Sequence, residues 1–200
     1  MSSGNRFGLL HLTPERPPLT HGEVVGLFEP CELTLRNPMT GMIHITQGDL
    51  LRLETERELD ARLADPQGLC LQLWWGHWDR ATYPDDLVVV LERDEQRYSI
   101  SYAYFAPVAD ADGPLPAAWE RCFHRFRLEG TALALLRDAT GQAQDLDWQS
   151  WLADPRPLPP PYPDLMIVPI ATADAFALDD RLVSREVLVS RWCRIVPRHR

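Results

Sequence analysis

Chemistry in this chain would centre on residues 74 to 86. His77 and Asp79, separated by Trp78, are the one close pairing of an imidazole with a carboxylate in a segment of loop character, and Asp85 and Asp86 follow shortly. In extended backbone that spacing sends both side chains to one side, where Asp79 could orient the imidazole as a general base or the two could share a metal. An exposed histidine fits the same pattern. The segment is therefore read as a contact surface, with no residue assigned as catalytic or as a metal ligand and no cofactor called for.

The same region holds the densest aromatic cluster, Trp74-Trp75-Gly76-His77-Trp78. Adjacent residues of a strand face opposite sides, so Trp74 and Trp75 cannot both enter one core. One indole is left for a second surface, and an indole joins a large apolar area to a polar handle, the combination that anchors interfaces. Downstream, Tyr98, Tyr102 and Tyr104 alternate along a strand-like run. With Trp75 they could line a cavity for an aromatic or amphipathic molecule.

All 20 basic residues are arginine; the chain contains no lysine. This excludes the P-loop lysine, the kinase strand lysine, Schiff-base lysines and Ser-Lys catalytic pairs. G-x-G-x-x-G, G-x-S-x-G, H-E-x-x-H and the zinc-deaminase signature are all missing, which withdraws sequence support from dinucleotide folds, α/β-hydrolases and zincins. Cys31, Cys70, Cys122 and Cys193 are widely spaced with no C-x-x-C pair, so they read as free, buried thiols.

The elements that must position these residues spell an α+β chain. Glu32 to Arg36 and Met42 to Thr46 flank the turn-forming Asn37-Pro38-Met39-Thr40-Gly41 and predict a hairpin. Thr46 and Asp49 offer caps, and Leu50, Leu53, Leu59 and Leu63 predict one helix ending at Asp65-Pro66. Leu69 to Trp75, Leu87 to Leu91 and Tyr98 to Phe105 predict an antiparallel meander with its long loop between Trp75 and Asp86. Residues 117 to 136 fit a helix or a hairpin, and Asp145 to Ala153 a short helix bearing Trp148 and Trp151. Prolines 155, 157, 159, 160, 161 and 163 make 154 to 164 a stiff connector or a ligand for an aromatic groove. Leu165 to Ile170 reads as a buried strand, at an edge or bulge because of Pro169. Val187 to Val196 reads as a last strand; if its Val187, Val189 and Ile195 face is the core face, Arg191 is buried or half-buried and needs a carboxylate partner. Pro14, Pro17 and Pro18 leave 1 to 22 irregular. The expectation is one domain, a mostly antiparallel sheet of about six to eight strands packed on two or three helices.

Net charge decides among function classes. The last twenty residues hold six arginines against Glu186, a balance of +5, which leaves −14 for the rest of a chain whose total is −9. An acidic body argues against nucleic acid, whose phosphates need a basic face. No run approaches the roughly 18 apolar residues of a membrane span, and the start lacks a signal peptide, so a cytoplasmic protein without a membrane partner is expected. Excess acid with aromatic anchors fits a non-enzymatic protein-binding module: an inhibitor, immunity-type antagonist or assembly factor with a more basic partner. A small-molecule-binding sheet or partly closed barrel, and an enzyme with dispersed catalytic residues, are the alternatives.

Overall fold

The computed structural model describes all residues except 1–5, 14–15, 17, 29–32, 76–85, 94–97, 105–113, 139–145, 189–190 and 199–200. Among the described residues, eleven strands join into one sheet: β1 (Arg6–Leu12), β2 (Leu33–Thr34), β3 (Ile43–Gln47), β4 (Asp49–Leu53), β5 (Leu69–Trp75), β6 (Asp86–Arg93), β7 (Tyr98–Tyr104), β8 (Ala132–Asp138), β9 (Leu165–Pro169), β10 (Val183–Leu188) and β11 (Trp192–Pro197). Five helices accompany them: α1 (His21–Phe28), α2 (Glu56–Leu63), α3 (Pro114–Leu128), α4 (Trp148–Ala153) and α5 (Ile170–Ala175). The strand order is β10-β11-β9-β8-β1-β7-β6-β5-β3-β4, with β2 beside β5, and every pairing is antiparallel. The α+β class and antiparallel sheet stand; the expected six to eight strands and two or three helices were both too few.

Alternation builds two cores. Leu69, Leu91, Ile100, Leu10, Leu135 and Ile167 lie directly across from one another on six neighbouring strands, and each is 0–2% exposed. They belong to one cluster with Leu59 and Leu63 of α2, Val24 and Phe28 of α1, and Phe123 and Phe126 of α3, so these helices cover this face. On the other face, Leu9, Leu136, Met166, Val168, Cys193 and Ile195 pack with Trp148 of α4, Ala173 of α5, Phe176 and Leu158. Leu158 fixes the proline-rich connector to this layer through its N–H to the Phe176 carbonyl at 2.8 Å, and Arg156 stacks over the Trp151 ring at 4.5 Å.

Four expectations change. Residues 6–12, expected to be irregular, form β1, in the sheet interior between β7 and β8. Leu9 enters one core and Leu10 the other, so the strand shows no apolar/polar alternation. The helix expected from Thr46 begins only at Glu56, because Gly48, with φ of +76°, reverses the chain and returns 49–53 as β4. Leu50 is consequently 56% exposed. Thr55 caps α2: its hydroxyl accepts from Glu58 N, while the Glu58 carboxylate accepts from Thr55 N and Glu54 N. Residues 117 to 136 divide between the end of α3 and β8. Finally, the single C-terminal strand is a hairpin. Arg191 lies in its turn at φ +69° and is exposed, not buried against an acid.

Arg185 is the half-buried arginine of this region, with ion pairs to Asp180 at 3.2 Å and Asp174 at 3.6 Å. Arg181 pairs with Asp179 and Arg194 with Glu186. Asp174, Asp179, Asp180 and Glu186 thus offset much of the terminal positive charge. β9 is interior, between β8 and β11, not an edge strand.

Candidate functional site

Backbone register places the residues singled out above. Trp74 is 4% exposed and alternates with Leu71 and Leu73 of the helix-covered core, so it faces the other side. Trp75 pairs with Leu33 through the backbone, and Asp86, which opens β6, pairs with Trp74. Tyr98 lies across from Leu12 and Arg93, Tyr102 from Gly8 and Val89, and Tyr104 from Arg6 and Leu87. Trp74, Trp75, Asp86 and Tyr104 therefore gather at one end of the meander, and Tyr98 stands at the other. His77, Trp78, Asp79 and Asp85 lie outside the described residues, as does Cys31.

The face shared by Trp74 is covered over only half of its width. A single register row crosses ten strands: Leu50, Thr46, Cys70, Val90, Ser101, Leu9, Leu136, Met166, Ile195 and Arg185. From Leu9 to Ile195 the side chains are buried in the second core. On the β3–β5–β6 side, Thr46, Cys70 and Val90 are only half-buried, as are Gln72 and Val88 of the next row, and none of them belongs to either cluster. The change falls between Leu9 on β1 and Val90 on β6. Burial pushes the Cys70 thiol above its ordinary range, and the Glu92 carboxylate adds to the shift, so this thiol stays protonated at neutral pH.

At the corner of the open half, the turn at 37–41 forms, the Asn37 side-chain oxygen accepting from Met39 N at 2.8 Å and Thr40 N at 3.0 Å. The expected hairpin, however, shrinks to one bridge, Arg36 to Ile43, because Leu33–Thr34 pairs with β5 and Ile43–Gln47 with β4 and β5. Thr40 then meets His44 Nε2 at 3.3 Å. The His44 ring stands edge-on to Trp74, centroids 5.5 Å apart and planes at 87°, and both rings are buried. Trp74 Nε1 is buried without a hydrogen-bond partner. Across from His44 on β4 is Arg52, exposed. The His44–Arg52 pairing is not legible in the sequence, because Leu50 and Leu53 stand at helical spacing with Leu59 and Leu63.

A second polar set lies further along the same face. Glu92, Ser99 and His11 are successive register partners on β6, β7 and β1; Ser99 and His11 are buried, as is Asp138 at the end of β8. Among the described residues, no group of three or more His, Cys, Asp or Glu is placed to hold a metal, and no helix is long and apolar enough to cross a membrane. Comparison of the chain with family models, curated proteins and solved structures returned no match.

Proposed function

We propose that the chain is a non-enzymatic protein-binding module of the cytoplasm, an inhibitor, immunity-type antagonist or assembly factor, which receives a more basic partner on the open half of its sheet. One observation carries this reading: a row of side chains that is buried from Leu9 to Ile195 turns half-buried from Val90 to Thr46. A sheet face of small and apolar side chains left partly open is a surface another chain can cover. Trp74, near the end of β5, faces this half of the sheet, and His77, Trp78, Asp79 and Asp85, which follow it in the sequence, are assigned to the same contact as an aromatic anchor and acid. The net charge of −9 favours a basic partner through steering.

The test is recovery of the tagged full chain from its native cell with a stoichiometric protein, followed by two substitutions at half-buried polar positions, Gln72→Arg and Thr46→Arg. Each should weaken capture of that protein more than about tenfold, roughly 1.4 kcal/mol, with the melting temperature unchanged within a few degrees. Undiminished capture by both variants, or a stoichiometric small molecule in place of a protein, refutes the proposal.

A further inference from the structure

The Trp74 indole N–H deepens this reading by naming the group that the partner must offer, and so rests on it. A buried donor without an acceptor carries the full loss of its hydrogen bond to water, and such groups are rare in folded proteins unless something outside the chain completes them. Trp74 Nε1 is in that state. Its ring is held by the edge-on His44, which is itself fixed through Thr40 to the Asn37 turn. Its neighbours on this face are the half-buried Gln72, next but one to Trp74 on β5, and Val88 across from Gln72.

The surroundings select the acceptor. On the same sheet face, Arg52 stands directly across from His44, exposed, with no carboxylate among its described contacts. Trp74 and Arg52 lie on the two strands that flank the strand of His44, on the same face; an indole N–H and a guanidinium are donors that a neutral carbonyl would satisfy only in part. An acceptor with two charged oxygens can take the indole N–H on one and the guanidinium on the other. We propose that Trp74, His44 and Arg52 form a receptor for a carboxylate, brought by a side chain or chain terminus of the partner.

The probes are acetate and, as its neutral counterpart, N-methylacetamide, titrated into the full chain at pH 7 with no partner present. The readout is the indole 15N–1H resonance of Trp74, identified among the seven tryptophans by its loss in Trp74→Phe. Acetate should shift it saturably, with a dissociation constant of roughly 1–30 mM, as suits a ligand of four heavy atoms; Arg52→Gln should raise that constant at least about fivefold. No saturable shift with acetate, equal binding of N-methylacetamide, or an Arg52→Gln protein that binds acetate as wild type overturns the carboxylate receptor. The partner-capture test is independent: Gln72→Arg can abolish capture while acetate fails to bind, which would sink this inference and leave the module standing.

Discussion

Leu10→Ala tests the placement of β1. Leu10 is fully buried, flanked by Ile100 on β7 and Leu135 on β8, themselves fully buried. A Leu→Ala change in a core costs about 2–5 kcal/mol, the larger values where the surroundings cannot collapse into the gap. Here both neighbours are held by strand pairing on either side, so the cost should fall at about 3–4 kcal/mol. For a chain of this size that corresponds to a loss of about 6–16 °C in melting temperature and, with a urea slope of about 2–3 kcal/mol/M, a midpoint about 1–2 M lower. Thermal and urea unfolding followed by far-ultraviolet dichroism and by tryptophan fluorescence would measure it. Leu128→Ala, at a side chain 82% exposed, is the control and should stay within about 0.5 kcal/mol of wild type. If Leu10→Ala melts within about 2 °C of wild type, residues 6–12 do not form a central strand.

Val89→Asp places a charge in a fully buried position of β6 and should leave no soluble folded protein, since an unpaired buried carboxylate costs several kcal/mol; a soluble variant with wild-type melting removes β6 from the core. Thr55→Ala breaks the capping box of α2 and should cost about 1 kcal/mol in urea unfolding, with Thr55→Ser close to wild type. The His21 backbone N–H and, less strongly, its ring hold the Asp60 carboxyl below its ordinary range. That stabilisation is complete above the unfolded value of about 4 and is lost as pH falls through the lower folded value. Asp60→Asn should therefore unfold at lower urea than wild type at pH 7, with the gap closing as pH falls from about 5 through the lowered folded value; a gap independent of pH would show that the carboxylate charge contributes nothing.

The sequence revealed those elements whose side chains meet two different environments. The meander from Leu69 to Tyr104 was legible because its first and last strands alternate and its middle strand is a short apolar run between polar turns. The turn at Asn37 was legible because it depends on local chemistry. β1 was not: Leu9 and Leu10 are both buried, on opposite faces, and periodicity carries no signal when both faces are covered. Leu50 and Leu53 sit at helical spacing ahead of Leu59 and Leu63, and only the left-handed Gly48 and the pairing with β3 make them a strand. Val187 to Val196 alternates without a break, yet the chain reverses at Arg191, so a residue expected inside is in a turn. For the candidate site the consequence was direct. Trp74 could be singled out from its neighbours, whereas His44 and Arg52 become partners only once β3 and β4 are known to pair.

The interior position of β1 has a consequence for synthesis. Its seven residues, Arg6–Leu12, have no strand to pair with until residues 98–104 exist and are not enclosed until residues 132–138 follow. At translation rates of roughly 5–20 residues per second, Phe7 precedes its partner Asp138 by roughly 6–26 s. For that interval Leu9, Leu10 and Leu12 form an apolar strand with two open edges, a form prone to pair with other nascent chains. The β5–β6–β7 meander can meanwhile form from local contacts, with β7 as a waiting edge. Closure then joins the earliest residues to the latest half of the sheet, a slow step of high sequence separation, and holdase chaperones that bind short apolar strands should affect the yield of this protein more than its final stability.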